Sequence, residues 1–304
     1  MLDGPSRKEL LVHGALFLVT SATALVAGIY MAGGDPIELA AWQNGPMLLA
    51  ATSYAAALMV ILTAHEFGHY LQARRHGVDV SLPYFLPGIG PIPGFGILPF
   101  FGTFGAFIRM RLGAVEARPL LEISAWGPLA GFAFTVPVLF VGMALSEIRP
   151  MPETGDFMML GDSLLLMIAE WTFFPEIAPG HDVFLHPLAM AGWVGCLLTA
   201  LNLLPIGQLD GGHIAYCVFG DSYRHVARVL YVGLMALGVF VFPGWLLFGV
   251  LVGVMGPSHP AIMRGPPVRE RSLWLVGAAL VMFVLTFTPR PIVVDSLPVL
   301  LGLW

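Results

Sequence analysis

Charge is scarce in this sequence. Lys and Arg number 14 and Asp and Glu 19 in 304 residues, 11% together, about half the share of an average soluble domain. So little charge excludes a water-facing surface of ordinary composition, and no nucleic-acid face is implied. Cysteine is nearly missing too. Cys196 and Cys217 lie in or beside apolar stretches and belong to neither a C-x-x-C pair nor a finger spacing, so they read as small core residues rather than a disulfide or a zinc ribbon.

What is present is apolar: 57% of the residues are hydrophobic. A membrane-spanning helix needs about 20 apolar residues in a row, and near-charge-free runs approach that length at Leu11 to Ala32, Met47 to Ala64, Ile123 to Ser146, Val183 to Leu209, Val229 to Met263 and Ser272 to Pro289. The first run exceeds an ordinary signal-peptide core and no A-x-A site closes it, so it reads as a retained helix. The Val229 run contains Phe242-Pro243-Gly244, a helix breaker, and divides there. The expectation is an all-α polytopic membrane protein of about six to seven transmembrane helices, with a small membrane-associated β or re-entrant region after the second. Three parts follow: residues 1–46 with the first helix, a core over 47–221, and accessory spans over 222–304.

Basic residues are retained on the cytoplasmic side. With seven spans and a cytoplasmic N terminus, only Arg149 and Arg290 of the 14 Lys and Arg residues fall outside. A single kinked span at Val229 would also move Arg264, Arg269 and Arg271 outside and weaken that bias. Glu147 to Asp182 is then an acidic external loop. Within it Ser163 to Phe174 is apolar enough to lie along the interface, with Trp171 near headgroup level, as a plain loop helix or as a lid.

Between Val78 and Gly113 proline and glycine interrupt any helix, yet the stretch is apolar. Irregular backbone at membrane depth is tolerated only where protein buries it or a watery cavity borders it, so re-entrant turns and short strands are expected. Residues Gly102 to Arg111 (GTFGAFIRMR) alternate partially and favour strand, offering a free edge at Gly102, Thr103, Phe104 and Gly105.

The second apolar run ends in HEFGH, residues 65–69. On a helix, positions i and i+4 differ by roughly 40° and about 6 Å, so His65 and His69 can share one zinc ion. Glu66 is rotated by about 100° from His65, so it can serve as the catalytic base rather than a ligand. Ionisable groups inside a membrane span are costly, which makes them functional candidates by default. A catalytic zinc usually takes three protein ligands. Asp210, in NLLPIGQLDGGH at 202–213, fits as the third, because the span order brings His69 and Asp210 toward the same cytoplasmic level. His213 is the rival, being a better zinc donor by type. His13, His76, His181, His186, His225 and His259 are isolated and read as surface or interfacial residues. Asn202 either cross-links helices or donates its amide to the substrate oxyanion.

With HEFGH on one span and N-x-x-P-x-x-x-L-D-G on a later one, the chain resembles the site-2 protease family of intramembrane zinc metalloproteases over roughly Met47 to Asp221. The resemblance implies that His65, His69 and Asp210 bind one Zn2+, that Glu66 is the base and that Asn202 lies near the scissile carbonyl. It implies three core spans, a G-P segment at Gly127 to Gly131 that generic helix packing explains equally well, and substrates that are single-span membrane proteins. It also implies that the Gly102 to Arg111 strand receives the unwound substrate by strand addition. Neither the PDZ insertion nor the C-terminal CBS domain of some relatives is expected.

Two other classes remain. A metal transporter would distribute ligands through the depth of several spans, whereas these gather at one level beside a glutamate. A catalytically silent scaffold would be expected to lose Glu66 or a ligand, and none is lost.

Overall fold

The computed structural model describes residues 6–88, 101–109, 115–152, 158–256, 263–264, 272–293 and 299. Chain entry is set by a capping box: the Ser6 hydroxyl accepts the Glu9 N–H at 3.2 Å and the Glu9 carboxylate accepts the Ser6 N–H at 2.8 Å. Helix α1 (Arg7–Met31) follows, then the short α2 (Leu39–Gln43) and the 31-residue α3 (Gly45–Arg75), capped by Asn44 and closed by Arg74 and Arg75 in its last turn. The proline- and glycine-rich segment gives β1 (Tyr84–Pro87) and β2 (Thr103–Phe107), an antiparallel pair; Gly102, with φ +79°, turns the chain into β2. The expected strand thus starts at Thr103, one residue after Gly102.

After β3 (Val115–Glu116) comes α4 (Ala117–Ala144), in which Pro128 and Pro137 remove the helix donors for the carbonyls of Ser124 and Ala133. Strands β4 (Glu147–Pro150) and β5 (His181–Phe184) pair around α5 (Leu164–Phe173), a helix where the sequence led one to expect it, with Ser163 as its cap and Trp171 76% exposed. Then α6 (Pro187–Leu203), α7 (Asp210–Phe219), α8 (Tyr223–Phe240), α9 (Gly244–Met255), β6 (Met263–Arg264), parallel to β3, and α10 (Leu273–Thr286) complete the chain.

Among the described residues, three helices are long and apolar enough to cross a membrane: α1, α3 and α4. The later apolar runs give shorter helices. Pro187 starts α6 late and the Leu204-Pro205 turn stops it, leaving 17 residues, about 26 Å against a hydrocarbon core of about 30 Å. The Val229 run does break at Val241 to Pro243, but α9 keeps only 12 residues, and α8 begins early enough to include Arg224 and Arg228. Arg111, Arg269, Arg271 and nearly all of the tail after Val293 lie outside the described residues, as does the middle of the proline-rich segment, residues 89–100.

The centre of the protein is α3, α4 and α6 in mutual contact, with α1 against α3, α7 against α4, and α10 against α6 and α4. Lipid offers no hydrophobic drive between helices, so close approach at small residues supplies much of the packing. Accordingly Gly28 of α1 meets the Ala51 backbone of α3, and Gly192 of α6 meets Leu139 of α4. Cys196 and Cys217 are free and buried. Fully buried Tyr54 on α3 donates its hydroxyl to the Phe101 carbonyl at 3.0 Å, and Ile108 packs against the small cluster of Ala73, Val80 and Ile123. Strand β2 thus lies against α3 and α1.

Candidate metal centre

Helix α3 carries HEFGH just past its midpoint, and the 3.6-residue period turns both His65 and His69 toward α4, with His65 also near Asn202 of α6. Their Nε2 atoms stand 3.0 Å apart. The third corner comes from α7. Its first residue is Asp210, delivered there because the chain breaks after Leu203, turns through Pro205 and Gly207 (φ +61°), and restarts. Restarting so close demands glycine at 211, where a Cβ would strike the Leu203 carbonyl.

Asp210 Oδ2 lies 3.3 Å from each of the two Nε2 atoms. A tetrahedral zinc bound at about 2.0–2.1 Å has ligand atoms about 3.3 Å apart along each edge. The observed edges of 3.0, 3.3 and 3.3 Å match that face of the tetrahedron. Among the described residues these are the three donors grouped closely enough to hold a metal ion, and His213 is not one of them.

His69 turns its other nitrogen, Nδ1, to the Ile123 carbonyl of α4 at 2.7 Å. Donation there fixes the tautomer and leaves the Nε2 lone pair for a metal. Such proximity is possible because α4 has no side chain at 127: a Cβ on Gly127 would overlap the His69 ring, and one on Gly131 would press the His65 Cβ at 3.1 Å. Asn202 reaches the same cluster, its Nδ2 3.4 Å from His65 Nε2. Glu66 is 3% exposed, and its Oε2 is buried with no hydrogen-bond partner. An orphaned carboxylate oxygen at this depth is costly unless a proton donor meets it.

Sequence reading missed one group. His76, expected as a surface or interfacial residue, caps α3 and pairs through Nε2 with Glu122 Oε2 of α4 at 2.8 Å, while Arg118 Nε holds Glu122 Oε1 at 2.8 Å. The four-residue spacing of Arg118 and Glu122 signals a helix pair; the reach to His76 had no signal in sequence.

Two histidines and a carboxylate grouped closely enough to hold a metal ion, next in sequence to a buried glutamate and among apolar helices, make a candidate metal centre. The chain belongs to peptidase family M50, whose profile matches residues 53–242. It is similar to the probable zinc metalloprotease EGY1, chloroplastic, of Arabidopsis thaliana, 32% identical over 80% of this chain and 44% of that protein. The protein of the same name from Oryza sativa subsp. japonica is 30% identical over 80% of this chain and 42% of its own. The probable zinc metalloprotease EGY2, chloroplastic, of Oryza sativa subsp. indica is 27% identical over 84% and 46%. The chain thus spans less than half the length of these relatives. No solved structure matches it.

Proposed function

We propose that this chain is an intramembrane zinc metalloprotease that hydrolyses peptide bonds of single-span membrane proteins. The observation that carries the reading is the triangle of His65, His69 and Asp210 donor atoms with the unpartnered Glu66 carboxylate beside it. Zinc held by those three residues supplies Lewis acidity toward water and a peptide carbonyl. Glu66 takes the proton of the attacking water and delivers it to the leaving nitrogen, a role worth about 10²–10⁴ in rate. Asn202 donates its amide to the carbonyl oxygen as charge grows there. Ile123 keeps the His69 ring oriented throughout.

A helical substrate must be extended before it is cut, and β2 is suited to hold it. It lies against α3, and Tyr54 of that helix bonds the Phe101 carbonyl just ahead of the strand. Strand β2 pairs with β1 on one side and with no described strand on the other, so an extended segment can add at that edge, against the helix that carries Glu66.

The topology that fits this reading has six to seven spans, a cytoplasmic N terminus and the metal centre toward the cytoplasmic face, with the core at 47–221 between an N-terminal span and C-terminal accessory helices. A transporter is less well supported, since the donors form one compact triangle rather than a path. The deciding experiment reconstitutes the purified chain in vesicles with tagged single-span proteins and compares it with Glu66→Gln. Cleavage by the parent alone, with zinc content equal in both, supports the proposal; equal cleavage by both rejects it.

A further inference from the structure

Helix α4 approaches the metal centre through a backbone atom, the Ile123 carbonyl that receives His69 Nδ1–H. A helix carbonyl cannot adjust by rotating a side chain, so its aim depends on the axial and rotational register of α4 against α3. The preceding residue makes a second contact with α3. Glu122, whose side chain is 15% exposed, spans from the His76 cap of α3 to Arg118 one turn earlier on α4, with both contacts at 2.8 Å. His69 and His76 are seven residues apart and so share one face of α3. Two consecutive residues of α4 therefore grip that face two turns apart, one through a side chain and one through a carbonyl.

We infer that Glu122, with His76, is a positioning residue for the metal centre, holding α4 in the register at which the Ile123 carbonyl orients the His69 imidazole. This rests on His69 being a metal ligand, as proposed above, but does not require that the metal cut peptides. Partners behind a metal-bound histidine typically carry about 10- to 100-fold in metal affinity. Glu122 acts through another group and so touches neither metal nor substrate.

The test measures Zn2+ affinity of the full chain in detergent, stripped of metal and titrated against a chromophoric chelator. Expected are a 10-fold or greater loss in Glu122→Ala, a similar loss in His76→Ala, and no further loss in the double variant, because the two act as one contact. Glu147→Ala, which removes an exposed external ion pair with Arg149, should bind zinc as the parent does. The apo thermal midpoint and the visible spectrum of the Co2+-loaded protein separate positioning from general damage: positioning predicts an altered spectrum with the midpoint nearly kept. Where Glu122→Ala does not fold, the isosteric Glu122→Gln carries the test with the same expectation at smaller size. Affinity within two-fold of the parent in the folded variants, or losses that merely follow the apo midpoint, would overturn the inference. A parent chain that binds no zinc would sink the metal reading itself, whereas zinc affinity that responds to Glu122 in a chain that cleaves nothing would sink only the protease reading.

Discussion

Asp210 Oδ2 stands 3.3 Å from His69 Nε2 although all of α4, α5 and α6 intervenes between them in the chain. Nothing local holds them together: His69 is aimed by Ile123 and Asp210 by the turn at Pro205 to Gly207. Each has its own support, and removing either affects the centre differently.

Substituting Glu66 by Gln keeps shape and polarity while removing the base. Cleavage of a reconstituted single-span protein should fall by about 10²–10⁴, with zinc content at the parent level by atomic absorption. A variant that lost zinc as well would reveal Glu66 as a ligand.

Removing the carboxylate should act on the metal first. Asp210→Ala is expected to release zinc to a chelator that leaves the parent loaded, and the stripped parent, but not the variant, should regain activity on addition of Zn2+. Retention of zinc by Asp210→Ala, with His213→Ala losing it instead, would transfer the third ligand to His213.

A single methyl can test how closely α4 meets α3. Gly127→Ala puts a Cβ into the His69 ring, and overpacking of this kind costs about 1–3 kcal/mol. The expected signature is a lowered thermal midpoint with weakened zinc binding, whereas Gly14→Ala, facing open space, should change neither. Unaltered zinc affinity in Gly127→Ala would mean the helices separate without disturbing His69.

The acidic segment between α4 and α6 predicts a pH dependence unrelated to zinc. Burial, with Asp162 and Asp182 adding to it, pushes the Glu170 carboxyl from 4.5 up to about 7. Between those values the folded form keeps a proton that the unfolded form has released, so this segment loses stability as pH rises through that window. The thermal midpoint of the parent should fall from pH 4.5 to 7 more steeply than that of Glu170→Gln; identical slopes would show that Glu170 does not titrate there.

Much of this was readable in the chain. HEFGH sets His65 and His69 on one side of α3 by helix period alone, and the apolar run from Ser163 and the Phe242-Pro243-Gly244 breaker place α5 and the α8 to α9 division as expected. Helix lengths were less legible. Apolar composition does not distinguish a helical residue from an apolar one in a strand or turn, so Val183 and Phe184 went to β5 and Leu204 to Leu209 to the turn before α7.

By itself the sequence determined chemistry that is periodic or local: which segments prefer lipid, where helices start and break, and which side of α3 bears histidines. Tertiary structure alone decided which distant atoms meet. Asp210 rather than His213 closes the triangle because Gly211 lets α7 restart against the end of α6, and the Ile123 carbonyl reaches His69 because Gly127 leaves space for the ring. Those outcomes depend on helix register to within an ångström or so, a quantity set by the summed packing of α3, α4, α6 and α7 and carried by no single stretch of residues.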